Sequence, residues 1–199
     1  MKAILCDLGG VLLTVNFGLA MERLSNESGL SKQELEARIF SSGIKEKFDL
    51  GLISSFDFYK HIITREEISF SYFQSIWSEI FTENQEMINY LSLYTKSCRL
   101  YIASNTDPLH YAFLSNNYPW FSLFNGFGLS FRLKIAKPSP KFYCKLCREF
   151  GINYQDALFI DDLKDNVEAA EELGIKSHLF IELAGLKLFM ENEIMDMRN

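Results

Sequence analysis

Short apolar runs that end in polar residues recur along this chain and predict buried strands. The clearest runs are Ala3–Cys6, Leu100–Ala103 and Ala157–Ile160, and a weaker one covers His178–Ile181. Segments with helical periodicity separate these runs. Because buried strands that alternate with helices are typical of a parallel sheet covered on both faces, we predict an α/β fold with a three-layer, Rossmann-like core.

Residues 16–84 follow a different pattern, with apolar side chains at helical spacing, many phenylalanines and no convincing strand. We interpret this segment as a helical cap inserted after the first strand, so that residues 1–15 and 85–199 together form the core. The alternative is an independent helical domain on flexible linkers. It is disfavoured because no stretch rich in Gly, Ser or Pro marks either border.

The helix after the third apolar run has the best-marked ends. Asp165 is a candidate N-cap, and Glu168 follows it at the spacing of a capping box. Gly174 is the predicted end of the helix. Its apolar face is expected to consist of Val167, Ala170 and Leu173.

Composition and charge exclude several classes of protein. The formal net charge of −6 disfavours a nucleic-acid binder, because such domains usually carry a basic face. The apolar stretch that begins at Ala3 is too short for a signal peptide, and no apolar run approaches the roughly 18 residues of a membrane helix. We therefore expect a cytoplasmic protein that binds neither nucleic acid nor membrane.

Cys144 and Cys147 form a lone CxxC, which raises the alternatives of metal or redox chemistry. Apolar residues around them recur at helical spacing, which places both thiols on one helix. A zinc site needs about four ligands, and the chain has neither a second CxxC nor a paired set of histidines. Partly buried structural thiols are the favoured interpretation.

Polar side chains gather where the predicted strands end, and in an open parallel sheet these ends meet at one crevice. Three carboxylates in one crevice repel each other unless a cation lies between them. Oxygen ligands without His or Cys suit Mg²⁺, which also binds substrate phosphates. The converging residues are Asp7, Ser104, Asn105, Lys137, Asp161 and Asp162.

This set of residues is suited to phosphoryl transfer. The carboxylate of Asp7 is ionised at neutral pH and can attack phosphorus, giving an aspartyl-phosphate. Lys137 supplies a fixed positive charge, and Ser104 supplies a hydroxyl and a nearby backbone N–H to a phosphate oxygen. The predicted substrate is a small phosphorylated metabolite.

Four stretches resemble motifs of the haloacid dehalogenase-like hydrolase superfamily, in its order, and the match covers the whole chain. The subgroup resembled is the phosphatase type with a helical cap after the first motif. The stretches are Cys6-Asp-Leu-Gly-Gly-Val-Leu12, Ile102-Ala-Ser-Asn-Thr106, Lys137-Pro-Ser-Pro-Lys-Phe-Tyr143 and Phe159-Ile-Asp-Asp-Leu-Lys-Asp-Asn-Val-Glu-Ala-Ala170.

The resemblance implies a role for each matching residue. Asp7 is the expected nucleophile and a Mg²⁺ ligand, with the backbone carbonyl of Gly9 as another ligand. Asp162 is the expected direct carboxylate ligand, and Asp161 assists it directly or through water. Ser104 and Asn105 are the expected phosphate-binding pair, and Lys137 is the motif lysine. Asn166 is expected to orient the acidic loop, with helix capping as the alternative role for this residue.

Gly9 departs from the family pattern, because most phosphatases of this superfamily have a second Asp at that position. That Asp acts as general acid and base, and its loss typically costs ~10²–10⁴-fold in rate. Three interpretations stay open: a substrate with a good leaving group, such as an anomeric sugar phosphate, an acid supplied by the cap, or a weakly active or non-catalytic protein used for binding.

A metal-independent 2-haloacid dehalogenase is a further alternative, because those relatives also lack the second Asp. Their last motif usually lacks a paired Asp-Asp, so Asp161 and Asp162 favour phosphoryl chemistry. The three histidines are expected to be structural. Among them His110 is the one of interest, because it follows Ser104 by six residues.

Overall fold

The computed structural model describes residues 2–64 and 68–196. In chain order the elements are β1 (Ala3–Cys6), β2 (Leu13–Val15), α1 (Phe17–Ser28), α2 (Lys32–Glu36), a π-helical turn (Ala37–Ser41), α3 (Ile44–Asp49), α4 (Ser55–Ile62), α5 (Phe70–Ser78), β3 (Phe81–Glu83), α6 (Gln85–Ser92), β4 (Arg99–Ser104), α7 (Pro108–Asn117), β5 (Gly126–Leu129), α8 (Ser130–Leu133), α9 (Pro140–Phe150), β6 (Ala157–Asp161), α10 (Lys164–Glu171), β7 (Lys176–Leu179) and α11 (Leu183–Asp196). Within the described ranges, no helix is both long and apolar enough to cross a bilayer.

Five parallel strands form the central sheet, in the order β5-β4-β1-β6-β7. Cys6 at the end of β1 is in register with Ile102 of β4 on one side and Ile160 of β6 on the other. The strand order therefore changes direction at β1, and the carboxyl ends of three strands lie side by side there. Such a switch point is the usual ligand site of an open α/β sheet.

Alternating side chains bury both faces of the sheet, which confirms the predicted three-layer α/β fold. Ile4 and Cys6 of β1 join a cluster with residues of α6, α7 and α11. Ala3 and Leu5 point to the opposite face and join a cluster with residues of α9 and α10. Because successive side chains of a strand point to opposite faces, one short run serves two apolar layers.

Three predicted strands occur at the expected places, and the weak fourth one begins two residues earlier than predicted, at Lys176. Strand β5 was not predicted, because its sequence carries two glycines and lacks a β-branched residue. A Cβ at Gly126 would lie 2.5 Å from the Phe150 ring, and one at Gly128 would lie 2.1 Å from Leu146. Both glycines thus allow α9 to pack against β5.

Between β2 and β3 the described residues form helices α1–α5 around an apolar cluster of their own, which contains Phe48, Phe58, Phe73 and Trp77. Leu109 of α7 also belongs to this cluster and links it to the sheet domain. The expectation of no strand in residues 16–84 is wrong at one end. Strand β3, at residues 81–83, pairs antiparallel with β2. A strand of three residues is too short for its alternation of apolar and polar side chains to be recognised in the sequence.

Helix α10 starts at Lys164, with Leu163 as N-cap, so the prediction that Asp165 caps this helix is wrong. The N–H of Leu163 donates to Asp161 Oδ1 at 2.9 Å, which holds the chain in a turn directly after β6. The helix therefore begins before Asp165, whose carboxylate lies in the first turn, where the helix dipole favours negative charge. The helix ends at Glu171, and Gly174 lies in the following turn at φ 80°.

The two thiols of the CxxC lie on α9, as expected. Cys147 is buried and Cys144 is exposed, and both are free thiols. The hydroxyl of Tyr154 donates to the sulfur of Cys144 at 3.2 Å. Their environment favours structural thiols.

Candidate active site

The predicted site residues converge on one cavity of 530 Å³ at the carboxyl ends of β1, β4 and β6. Each strand end delivers its polar residue there, and Lys137 arrives from the loop between α8 and α9. Asp161 is the exception, because it is completely buried beneath the cavity. The predicted residues that line the cavity are Asp7, Gly9, Ser104, Asn105, Lys137, Asp162 and Asn166.

Lys137 connects the Asp7 carboxylate, which lines the cavity, with the Asp161 carboxylate buried beneath it. Its Nζ lies 3.0 Å from Asp7 Oδ1 and 2.6 Å from Asp161 Oδ2, and all three side chains are buried. One cation between two anions leaves the trio with a net negative charge in a poorly solvated place. This residual charge favours the approach of a further cation.

Asp161 is held by hydrogen bonds on both of its oxygens. Oδ2 faces Lys137, while Oδ1 accepts from the backbone N–H of Leu163 and from Asn166 Nδ2, each at 2.9 Å. The hydroxyl of Tyr143 donates to the carbonyl of Asn166 at 2.7 Å and fixes that residue in turn. Asp161 therefore organises the acidic loop from below, and Asn166 contacts that loop.

Asp162 is half-buried and lies against Gly10 on the cavity side. Gly10 has φ 75°, and a Cβ there would come within 2.0 Å of Asp162 Oδ2. A side chain at this position is therefore excluded by backbone conformation and by space. This close approach brings the Asp162 carboxylate next to the turn that follows Asp7.

The side-chain amide of Asn105 holds the backbone of Lys137. Asn105 Nδ2 donates to the Lys137 carbonyl and Asn105 Oδ1 accepts from the Lys137 N–H, both at 2.8 Å. The amide of Asn105 thus fixes the loop that presents the lysine. Ser104 is buried at the end of β4 and lines the cavity.

One oxygen each from Asp7, Asp161 and Asp162 lie within 4.8 Å of one another. Hard oxygen donors at this spacing, without His or Cys, fit a divalent cation such as Mg²⁺. Because Asp161 already accepts hydrogen bonds on both oxygens, Asp7 and Asp162 have the freer carboxylates. Of the two predicted roles for Asp161, this arrangement favours contact with the metal through a water molecule over direct ligation.

Burial shifts the acidity of these groups. It raises the pKa of Asp7 from its ordinary 3.8 to about 6, Asp161 adds to the rise, and Lys137 opposes it. Burial and the Asp161 charge also raise the pKa of Asp162. Burial alone would lower the pKa of Lys137, but the two neighbouring carboxylates raise it above its usual range. Lys137 is therefore a permanent cation, whereas Asp7 needs additional positive charge to be fully ionised.

Five further residues line the cavity and were not predicted as site residues: Gly10, Thr14, Val15, Phe17 and Leu163. Thr14 and Val15 belong to the short strand β2, whose alternation could not be recognised over three residues. Leu163 is 56% exposed although it lines the cavity. Its position directly after the Asp161-Asp162 pair was the signal available in the sequence.

Comparisons with known proteins identify relatives of similar sequence and fold. A D-ribitol-5-phosphate phosphatase of Bacteroides thetaiotaomicron is 24% identical over 186 residues, covering 88% of this chain and 90% of that protein. A HAD family enzyme of the same organism, solved in complex with magnesium and inorganic phosphate, superposes with a TM-score of 0.83 at 25% identity. That alignment covers 94% of this chain and 98% of the other.

A protein of Porphyromonas gingivalis, described as a predicted HAD-like family hydrolase, has the same fold, with a TM-score of 0.76 at 23% identity. The alignment covers 89% of this chain and 90% of the other. A family model described as haloacid dehalogenase-like hydrolase matches residues 1–174, which include all four motifs and every residue of the cavity. With its strand order, its acidic crevice and this match in agreement, the chain belongs to the haloacid dehalogenase-like hydrolase family.

Proposed function

We propose that this protein is a magnesium-dependent phosphatase that hydrolyses a small phosphomonoester, such as a sugar or polyol phosphate, through an aspartyl-phosphate on Asp7. The observation that carries the proposal is the position of Lys137, whose Nζ bridges Asp7 and the buried Asp161 beside the half-buried Asp162. The fixed positive charge of Lys137 and the oxygen ligands available to a metal ion thus lie beside the attacking carboxylate of Asp7. The relatives that act on D-ribitol-5-phosphate or bind magnesium and phosphate support the same chemistry.

In this proposal the metal ligands are the Asp7 carboxylate, the Gly9 carbonyl and the Asp162 carboxylate, with Asp161 acting through water. When bound there, Mg²⁺ would neutralise charge between the carboxylates and the substrate phosphate. Asp161 and Asn166 hold the loop that positions Asp162. The fit rests on the carboxylate oxygens of Asp7, Asp161 and Asp162, which lie within 4.8 Å of one another.

The chain's own residues carry out the proposed steps. One oxygen of Asp7 accepts from the Leu8 N–H at 2.7 Å, which orients the carboxylate for attack on phosphorus. The Ser104 hydroxyl, the backbone beside Asn105 and the Lys137 ammonium hold the phosphate oxygens. As the bond between Asp7 and phosphorus forms, the P–O bond to the leaving group breaks, and the departing oxygen keeps the electron pair and takes a proton from solvent. Water then attacks phosphorus and gives a proton to solvent, while the bond between phosphorus and the Asp7 oxygen breaks, which releases inorganic phosphate and restores the carboxylate.

The dehalogenase alternative fits this cavity less well. A 2-haloacid carries a carboxylate, and without a bound cation it would meet the charges of Asp7 and Asp162 in the same cavity. The alternative of a protein used for binding alone is disfavoured because the attacking carboxylate, the lysine and the acidic loop all keep their mutual bonds.

The test is a screen of sugar phosphates, polyol phosphates and other phosphorylated metabolites, with 2-chloropropionate as the dehalogenase substrate, each with Mg²⁺ or with a chelator. We expect phosphate release that needs Mg²⁺ and is greatest for a sugar or polyol phosphate. Release of halide in the presence of chelator would support the dehalogenase instead. No turnover of any substrate, from a protein that still binds Mg²⁺, would support the binding-only alternative.

Magnesium should stabilise the fold more at pH 7.5 than at pH 5. Burial raises the pKa of Asp7 to about 6, so between about pH 4 and 6 the folded, metal-free protein holds a proton on Asp7 more tightly than the unfolded chain does. The free energy of unfolding of the metal-free protein therefore falls as the pH rises through this range. Metal binding requires the ionised carboxylate, so protons compete with Mg²⁺ on the acidic side. Thermal melting with and without Mg²⁺ across this range measures the effect. A shift of equal size at both pH values would contradict it.

Gly9→Asp should accelerate hydrolysis of unactivated alkyl phosphates by up to ~10²-fold, the lower part of the range for general acid catalysis. A Cβ at Gly9 lies 3.3 Å from Val15 Cγ2, so the valine has to yield slightly, and the gain should be larger with Val15→Ala. Rates with p-nitrophenyl phosphate, whose leaving group needs no proton, should change little.

Val15→Ala alone is the matched control for the space made beside residue 9, and it should leave the ratio of alkyl to aryl rates unchanged. If Gly9→Asp, Val15→Ala binds Mg²⁺ and still gives no gain for alkyl phosphates, another group already protonates the leaving oxygen.

A further inference from the structure

His110, in the first turn of α7, is buried between the sheet domain and the helices of the cap. Its Nδ1 lies 2.9 Å from Asp107 Oδ2, and its Nε2 lies 2.9 Å from the backbone carbonyl oxygen of Trp77. Trp77 belongs to α5, so the imidazole contacts both parts of the molecule. The proposed phosphatase reaction uses neither residue.

The carboxylate of Asp107 acts only as an acceptor. Oδ1 accepts from the backbone N–H groups of Leu109 at 2.9 Å and His110 at 3.0 Å, and Oδ2 accepts from the Trp77 indole at 3.1 Å. Lys45 Nζ also lies 3.8 Å from Oδ2. Because three N–H groups donate to its two oxygens and this cation lies beside it, Asp107 is ionised and has no proton to offer to the imidazole.

These contacts determine the protonation of His110. A carbonyl oxygen and an ionised carboxylate can only accept, so each ring nitrogen must donate at 2.9 Å. A neutral imidazole has a single N–H and would place a lone pair against an oxygen at the other contact. That arrangement would leave a buried polar group without a partner, which is costly.

The surrounding charges lead to the same conclusion independently. Lys45 and Asp49 of α3 form an ion pair with distances of 2.5 and 2.6 Å, and Lys45 Nζ lies 3.8 Å from Asp107 Oδ2. With a cationic His110 the four groups sum to zero, whereas a neutral ring leaves one uncompensated buried negative charge. The Trp77 indole also stacks on the imidazole at 5.3 Å with a 6° angle, a geometry that favours a cation.

We propose that His110 is a doubly protonated imidazolium that clamps the cap onto the sheet domain through Asp107 and Trp77, and that loss of one proton releases this clamp. His110 is thus a positioning residue. Phe17, which lines the candidate active site, packs 6.0 Å from the imidazole, so release of the clamp changes the cavity wall.

Another contact between the cap and the sheet domain lies at Ser130. Its hydroxyl is 2.6 Å from the carbonyl of Asp49 and accepts from the Thr106 N–H at 2.9 Å. Asp107 follows Thr106 directly, so the clamp and this contact act on the same segment after β4. Burial opposes ionisation of Asp107, but a cationic His110 and Lys45 hold the pKa of this carboxyl below its usual range, so Asp107 stays ionised at neutral pH and the clamp depends on the imidazole proton.

The test uses the full chain labelled with ¹⁵N in its histidines. At pH 7 we expect two ring N–H groups on His110, assigned by their loss in His110→Gln. His61→Gln, which replaces an exposed histidine in the cap, is the matched control and should remove neither signal. A ring with one protonated nitrogen at pH 7 would overturn the proposal.

Hydrogen exchange of the Trp77 indole N–H reports the clamp directly, because that group donates to Asp107. The Trp120 indole, which donates to Glu83 at 2.5 Å, is an internal reference in the same sample. Relative to Trp120, protection of Trp77 should fall about tenfold or more as His110 loses its proton, and should already be low in His110→Gln. This titration works on the wild-type chain even if the variant does not fold. A ratio independent of pH through the titration of His110 would overturn the release step.

Discussion

Asp7→Asn is expected to reduce kcat by on the order of 10⁴–10⁶-fold, the range seen when residues of a covalent catalytic unit are removed. The amide has nearly the volume of the carboxylate, and its oxygen can still accept from the Leu8 N–H, so the backbone turn persists. The neutral amide, however, is a poor nucleophile and a poor ligand for a hard cation. Steady-state kinetics with p-nitrophenyl phosphate and the best substrate of the screen measure the loss.

Asp165→Asn is the matched control, because it makes the same substitution on an exposed carboxylate in the first turn of α10. It should retain nearly full activity. Acid quenching of the wild type during turnover should give a peptide that carries one phosphoryl group on Asp7 and is missing in Asp7→Asn. A folded Asp7→Asn protein that keeps more than about a tenth of the wild-type kcat would refute the nucleophilic role of this residue.

The part of the site that follows strand ends could be predicted from the sequence. Asp7, Ser104 and Asp161 each terminate or follow an apolar run, and parallel strands place such positions on one edge of the sheet. The family resemblance then supplied individual roles. The position of Lys137 between two carboxylates could not be derived in this way, because it depends on how the loop after α8 folds back onto β6.

Neighbouring residues also differ in ways that only tertiary packing determines. Asp161 is fully buried with bonds on both oxygens, whereas Asp162 faces the cavity because Gly10 leaves space for it. The spacing of Asp107 and His110 is typical of a helix N-terminus, but their shared partner Trp77 lies thirty residues away from Asp107. Strand β5 was not predicted because Gly126 and Gly128, which leave room for α9, remove the side-chain pattern that indicates a strand.

Lys137→Met is expected to lower the free energy of unfolding by about 3–5 kcal/mol, the usual cost of leaving a buried ion pair without one partner. Methionine matches the apolar stem of the lysine, so the loss concerns mainly the charge. Two buried carboxylates, those of Asp7 and Asp161, then face each other without their shared cation. Urea unfolding measures the change, and Lys141→Met, on an exposed lysine of α9, is the matched control with little expected effect.

The pH dependence of this loss has a definite sign. Without Lys137 the pKa of Asp7, already raised to about 6, has no opposing cation and rises further. A carboxyl whose folded pKa is raised stabilises the fold at low pH and loses that contribution as pH rises through the folded value. In the wild type the pKa of Lys137 is raised by its two carboxylate neighbours, so Lys137 stays charged and keeps its contribution to the free energy of unfolding between pH 5 and 8. The difference in stability between wild type and variant should therefore be larger at pH 8 than at pH 5.

The double variant Lys137→Met, Asp161→Asn separates stability from catalysis. Removing the Asp161 charge relieves the repulsion, so the double variant should regain part of the lost stability, a coupling that a double-mutant cycle detects. Turnover should stay low, because neither substitution restores the cation that faces Asp7 and the substrate phosphate. Recovery of both stability and turnover would mean that Lys137 serves only to balance buried charge, and phosphate binding would then rest on the backbone beside Ser104 and on the metal.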